Sequence, residues 1–159
     1  MKRGLISKSN VGTAGTLYAA SRLSRRGYRV GLTLGSTEDI DIVVSSADRT
    51  RSVSVQVKTM GEKSKPEWLL NEKAETLTRP DIVYMLVDYR KPTLPSLYIV
   101  PSIVVAEGAA QEHADWLAAP GKHGQPHNEC AQRVFCVEMA TLYPERWDIL
   151  GLDADADGR

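Results

Sequence analysis

The clearest pattern along the chain is a pair of short, β-branched segments separated by a polar turn. Residues 40–45 read IDIVVS, and residues 52–59 read SVSVQVKT, with valine at alternate positions. Strict alternation is typical of a strand with one buried face, and the Ser-Ala-Asp-Arg-Thr segment between the two consists of turn residues. The pattern therefore predicts an antiparallel hairpin.

The polar positions of this hairpin bring candidate chemistry together. A loop centred on the turn places Asp41 across from Gln56 and on the same face as Lys58. Mg²⁺ takes hard oxygen ligands and keeps several waters, so a few protein oxygens are enough to hold it. The candidate ligands are the Asp41 carboxylate, the Gln56 amide carbonyl and the Val57 backbone carbonyl. Lys58 is then placed to orient a water and to offset charge developing on a phosphate. Any half-buried strand also shows polar residues at alternate positions on its solvent-exposed face. The pattern alone therefore leaves open whether these residues form a metal site or an ordinary exposed face.

The other elements are predicted from helical spacing, β-branched runs and turn residues. Trp68 falls in a predicted short helix, either as a helix-to-sheet anchor or as a wall beside a bound ligand. Ser102 is the expected N-cap of the next helix. The predicted elements are a helix over 13–27, a strand over 29–34, a helix over 66–77, strands over 81–89 and 97–100, a helix over 103–118, and a short helix after Pro144. The order αβββαββα predicts one α/β domain over 1–159 with a central mixed sheet of about five strands flanked by helices.

Composition narrows the class of protein. The chain is 42% hydrophobic and 25% charged, which is typical of a globular domain and excludes a disordered or fibrous chain. No apolar run approaches the ~18 residues of a membrane span, so no membrane partner is expected. The two cysteines, Cys130 and Cys136, do not make a disulfide framework, and a cytoplasmic location follows as an expectation.

The net charge of zero hides an uneven distribution. Residues 1–65 contain twelve basic and five acidic side chains, a net charge of +7, so the remainder carries −7. A split of this size favours polyanion binding by one face, although solvated surface charge that fell unevenly explains it equally well. The candidate phosphate-binding residues beside the hairpin are Arg49, Arg51, Lys63 and Lys65.

At Asp41, Gln56 and Lys58 the sequence resembles the PD-(D/E)XK nuclease superfamily, which has the restriction endonuclease-like fold. The segments IDIVV and VQVKT are similar to its acidic strand and to the Gln-x-Lys form of its second motif. The resemblance covers residues 12–105 and leaves 106–159 as a helical C-terminal extension. It implies a DNA endonuclease dependent on Mg²⁺ or Mn²⁺, with Asp41 as first metal ligand, Gln56 at the usual acidic position and Lys58 as catalytic lysine.

Two departures from that pattern bear on activity. Thr16 stands where active members often carry a helix glutamate, and Gln56 lacks the charge of an acid, so the metal is expected to bind weakly. Asp39 and Asp41 are alternative principal carboxylates. The alternative functions are a catalytically degenerate module that binds DNA or a protein partner, and an oligomeric interaction protein without a nucleic-acid role. The sequence leaves open whether the chain forms a homodimer.

Overall fold

The computed structural model describes residues 6–34, 39–91 and 93–153. The helices are α1 (Lys8–Arg25), α2 (Ser102–Ala118) and α3 (Val137–Ala140), with 3₁₀ helices at Glu72–Thr76 and Trp147–Leu150. The strands are β1 (Arg29–Leu32), β2 (Ile42–Ser45), β3 (Ser52–Met60), β4 (Glu67–Asn71), β5 (Ile82–Asp88), β6 (Ser96–Pro101) and β7 (Gln132–Cys136).

Five strands form the central sheet, in the order β1-β2-β3-β5-β6. Strands β3 and β5 are parallel and the other neighbours are antiparallel. The predicted mixed α/β architecture with a five-stranded sheet is thereby confirmed, and so is the hairpin, in which Ile42 pairs with Val55. A second, two-stranded sheet joins β4 to β7.

The central sheet has a separate apolar core on each face. On one face, Ala19 and Leu23 of α1 pack in a cluster with Val55 and Val57 of β3. On the other face, Met60 belongs to a cluster that includes residues of α2 and of the small sheet. Strand β3 contributes to both cores because its side chains alternate between the two faces.

Helix α1 begins at Lys8, five residues before the predicted start. Ser7 is its N-cap, and the Ser7 hydroxyl accepts a hydrogen bond from the backbone N–H of Asn10 at 3.1 Å. Residues 7–10 are exposed, so this first turn carries no hydrophobic periodicity that would reveal it. Gly27 ends the helical segment as predicted, with a φ of 86° that suits glycine.

The helix predicted over 66–77 is wrong, because this segment forms strand β4 followed by a 3₁₀ helix. Trp68 and Leu70 are buried while Leu69 and Asn71 are exposed, which is the period of two that a strand shows. The Trp68 indole N–H donates to the carbonyl of Val87 at 3.1 Å, so Trp68 anchors β4 to the central sheet.

The C-terminal part also differs from the helical extension that was predicted. It contains strand β7, which pairs with β4, and the 3₁₀ helix beginning at Trp147 is the short helix expected after Pro144. Ser102 is not the N-cap of α2: Pro101 takes that position, and the buried Ser102 hydroxyl donates to the carbonyl of Arg79 at 2.7 Å. No helix in the described ranges is long and apolar enough to span a membrane.

Candidate active site

A cavity of about 420 Å³ lies between the first turns of α1 and the edge of β3. Helix α1 packs closely on β3 and runs antiparallel to it, since Gly15 faces Thr59 while the earlier helix residue Val11 lies beside the later residue Gly61. We refer to this cavity as the α1–β3 pocket. Its walls are formed by Gly12, Thr13, Thr16, Leu17, Leu32, Thr33, Asp41, Val57, Lys58 and Thr59.

The Asp41 carboxylate is fixed where β2 separates from β3. The backbone N–H of Asp41, one residue before the start of β2, donates to the carbonyl of Val55 at 2.9 Å. Its Oδ2 accepts a hydrogen bond from the backbone N–H of Val57 at 2.7 Å. Because the N–H and C=O of one strand residue point to the same side, the Val57 carbonyl also faces the Asp41 side of the strand.

Gln56 does not line the α1–β3 pocket. Its register partner on β5 is Tyr84, and both residues share the face of Met60, opposite α1. Gln56 is only 5% exposed, and its Oε1 has no hydrogen-bond partner in the structure. An unpaired buried amide oxygen is costly and is the kind of atom that a ligand would satisfy.

Asp39 and Asp41 occupy different places. Asp39 is exposed and is not part of the pocket wall, which Asp41 lines. Burial raises the pKa of Tyr84, and the negative charge of Asp39 raises this pKa further. Of the two carboxylates, the structure places only that of Asp41 in the wall of the pocket.

Lys58 and Thr16 complete the wall of the pocket. Both are partly buried, and Lys58 borders the pocket although its side chain, two residues after Gln56 in β3, alternates to the strand face of Gln56. Helix α1 contains no Asp or Glu, which leaves the hydroxyl of Thr16 as the polar group at the position where the resemblance places a helix glutamate. The residues that line the pocket thus include one aspartate, one lysine and several threonines.

The predicted phosphate-binding residues fall into two separate groups. Arg49 and Arg51 lie at the turn before β3, whereas Lys63 and Lys65 follow its last residue. The nine residues of β3 hold these groups about 26 Å apart. Lys63 and Lys65 lie near the first turns of α1, because Gly61, which precedes them, lies beside Val11.

Gly15, a residue that pattern reasoning did not single out as functional, sets the distance between α1 and β3. A Cβ at this position would overlap the Thr59 hydroxyl and would lie 2.8 Å from Thr59 Cβ. The Thr59 Oγ1 is itself buried without a hydrogen-bond partner. The two glycines of the Gly-Thr-Ala-Gly segment were the available signal, since close helix–strand packing favours glycine.

Replacing Gly15 by alanine is expected to destabilise the protein by about 1–3 kcal/mol, because the new methyl group forces α1 away from β3. Gly12→Ala is the matched control: nothing lies within 4 Å of a Cβ there, and alanine should stabilise the helix by up to about 1 kcal/mol. Urea denaturation of both variants measures the difference. Equal stability of the two variants would contradict the close approach, and adding Thr59→Ala to Gly15→Ala should restore part of the loss.

The residues of the pocket fit a weakly held Mg²⁺ better than a tightly held ion. Asp41 offers a carboxylate and Val57 a backbone carbonyl, and Mg²⁺ is commonly bound through one or two protein oxygens while it keeps its waters. Within the described part of the chain, no group of three or more His, Cys, Asp or Glu side chains is placed to hold a metal ion. The unpaired Oε1 of Gln56 is a further oxygen next to Val57 in sequence, on the other face of the strand.

Comparison with known proteins finds similarity in structure. No family model matches the chain, and no curated protein matches its sequence. Among solved structures, the bacterial homing endonuclease I-Ssp6803I superposes with a TM-score of 0.56 at 14% sequence identity, over 92% of this chain and 94% of that one. Similarity at this identity is a statement about architecture, and the protein has a nuclease-like α/β fold.

Proposed function

We propose that the protein is a metal-dependent DNA endonuclease of the PD-(D/E)XK type, which hydrolyses phosphodiester bonds in the α1–β3 pocket. The observation that carries this proposal is the placement of Asp41, Val57 and Lys58 on one pocket wall, with the Asp41 carboxylate held by the Val57 N–H. A nuclease-like fold that resembles a homing endonuclease over nearly its whole length supports the same activity.

The proposed metal ligands in the pocket are the Asp41 carboxylate and the Val57 carbonyl. When bound, Mg²⁺ or Mn²⁺ would polarise the scissile phosphate and make water a stronger nucleophile at neutral pH. Lys58 would orient the attacking water and neutralise the negative charge that develops on the phosphate. Gln56, the third ligand that the sequence predicts, does not line the pocket, so its buried and unpaired Oε1 is not part of this proposed set.

The lysines beyond β3 are proposed to hold the DNA at this pocket. Lys63 and Lys65 are exposed, and the loop that carries them lies against the first turns of α1. Lysine ammonium groups bind backbone phosphates without reading base sequence, so these two residues would position DNA rather than select it. Arg49 and Arg51, about 26 Å away, would contact phosphates outside the pocket.

Asp41→Asn is expected to reduce cleavage by at least about 100-fold, because the charge that holds the metal is lost while an amide oxygen can still accept the Val57 N–H. Supercoiled, linear and branched DNA are incubated with purified protein and either Mg²⁺ or Mn²⁺. Asp115→Asn, an exposed change of equal charge on α2, should cleave like the wild type. Wild-type protein that cuts none of these substrates, or Asp41→Asn that cuts normally, would contradict the proposal.

A second candidate function is a catalytically degenerate module on the same scaffold, which binds DNA or a protein partner. It is favoured by the lack of any acid on α1 and by the position of Gln56 away from the pocket wall. Such a module would bind DNA equally well with EDTA present and would be unaffected by Asp41→Asn. Metal binding that requires Asp41 would exclude it.

A further inference from the structure

Six arginines gather at the end of the molecule opposite the α1–β3 pocket. Because α1 and β3 run antiparallel, the last turns of α1 lie beside the turn that precedes β3. The arginines of this end come from α1, the start of β1 and the β2–β3 turn: Arg22, Arg25, Arg26, Arg29, Arg49 and Arg51. We call this set the arginine surface. The basic residues near the pocket are lysines, so the two ends differ in chemistry as well as position.

Aromatic side chains hold part of the arginine surface in place. The guanidinium of Arg26 lies 4.8 Å from the ring centroid of Trp147, and that of Arg22 lies 5.6 Å from it. Arg22 also donates to the hydroxyl of Tyr18 at 2.8 Å. These contacts border a second cavity, of about 510 Å³. Guanidinium groups ordered on aromatic rings lose less conformational entropy when they bind an anion.

Two residues of the C-terminal part, Glu145 and Asp153, contact three guanidinium groups of this surface in the free protein. The Asp153 side chain accepts a hydrogen bond from the Tyr28 hydroxyl and lies 3.7 Å from Arg26 Nη2. The carbonyl of Asp153 accepts from Arg51 Nη2 at 2.6 Å. Donors from the end of α1, the segment before β1 and the β2–β3 turn therefore converge on Asp153. The Glu145 carboxylate pairs with Arg22 at 2.6 Å.

The remaining charges leave the surface positive. Arg25 and Arg49 are exposed and form no ion pair with any residue that the structure describes. The carboxylate of Asp48 is engaged by the hydroxyls of Ser46 and Thr50, which lower its pKa to about 2 and keep it in its own turn. Carboxylate and phosphate oxygens suit the same guanidinium donors, so an anion can replace Asp153 there.

We propose that the arginine surface binds the sugar–phosphate backbone of duplex DNA, and that Asp153 holds the place of a phosphate until DNA displaces it. The choice of DNA as ligand rests on the proposed function. The ten helical steps of α1 from Gly12 to Arg22 separate this surface from the pocket by about 15 Å. That separation corresponds to four or five base pairs, so one duplex can contact both sites.

The test compares Asp153→Asn with Asp148→Asn, a change of equal charge in the same segment. Asp148 pairs with Arg146, which is not part of the arginine surface. Binding of a labelled 30-base-pair duplex is measured by fluorescence anisotropy, with EDTA, from 50 to 200 mM NaCl. We expect Asp153→Asn to bind about 3- to 10-fold more tightly, with a salt dependence steeper by about one phosphate contact. Asp148→Asn should bind like the wild type.

A second set of variants removes arginines of this surface instead of the acidic residue that contacts them. Arg26→Gln and Arg51→Gln should each bind the duplex about 3- to 10-fold more weakly, whereas Arg79→Gln, which removes an exposed arginine paired with Asp81, should not change binding. Equal affinities for Asp153→Asn and Asp148→Asn, or wild-type affinity for both arginine variants, would overturn the inference. Thermal unfolding of each variant verifies that the fold is retained.

This outcome is separable from that of the proposed function. Cleavage that depends on Asp41, together with binding that ignores Asp153 and the arginines, would refute the arginine surface and leave the nuclease proposal standing. Binding that depends on these residues, without cleavage under any metal, would support the arginine surface and refute the nuclease proposal.

Discussion

Replacement of Lys58 by alanine is expected to lower the rate of DNA cleavage by about 100- to 1,000-fold, the range typical for removal of one electrostatic donor from an active site. Lys58 lines the α1–β3 pocket beside Val57, whose N–H holds the Asp41 carboxylate. Its ammonium is the basic group nearest in sequence to the proposed ligands, so its loss leaves the charge on the reacting phosphate without compensation.

The experiment separates a loss of chemistry from a loss of binding. Cleavage is followed in a single turnover with protein in excess over DNA, so that the rate constant reports the chemical step. Lys73→Ala, which removes an exposed lysine from the 3₁₀ helix after β4, is the control for net charge and should cleave normally. A Lys58→Ala protein that cuts at the wild-type rate, or that fails only because DNA no longer binds, would contradict a catalytic role.

The β2–β3 hairpin shows which part of the candidate site the sequence predicts and which part it does not. Alternation of valines predicts β3, its pairing with β2 and the shared face of Gln56 and Lys58. The hydrogen bond between Asp41 and the Val57 N–H does not follow from that pattern, because it depends on where β2 leaves β3. That point is set by residues preceding β2, including Thr33, whose N–H donates to the carbonyl of Asp41 at 3.1 Å.

The charge distribution shows a similar limit. Counting charges along the sequence identifies residues 1–65 as basic, but a count treats them as one patch. The length of β3 and the antiparallel packing of α1 divide the basic residues that the structure describes here into lysines near the pocket and the arginine surface at the other end. Acidic residues near the C-terminus, above all Asp153, return to the arginine surface through contacts more than 100 residues apart in sequence. Such pairings have no local signal.

The small sheet is the part of the fold that the sequence conceals most. Strand β4 contains only five residues, and its partner β7 follows more than 60 residues later. A short apolar run with a charged flank suits a helix as well as a strand, and tertiary pairing decides between them. The sequence pattern therefore predicts a helix around Trp68, and only the contacts of Trp68 in the structure distinguish an anchor from a wall beside DNA.

Trp68→Ala is expected to destabilise the protein by about 3–5 kcal/mol, the range typical for truncation of a large buried aromatic residue. Trp68 is 1% exposed, packs edge-on against Tyr98 at 5.7 Å between ring centroids, and donates its indole N–H to Val87. The truncation removes apolar contacts between β4 and the central sheet and leaves a cavity. Urea denaturation measures the free energy of unfolding.

Two further variants make this result interpretable even if Trp68→Ala unfolds. Trp68→Phe keeps an aromatic ring but not the hydrogen bond, and should lose a smaller amount that includes about 1 kcal/mol for that bond. Trp116→Ala removes a tryptophan that is 39% exposed and stacks on His127, and should cost less than about 1.5 kcal/mol. Near-native stability of Trp68→Ala combined with weaker DNA binding would contradict the anchoring role, because it is the outcome expected of a residue that contacts DNA and supports no core.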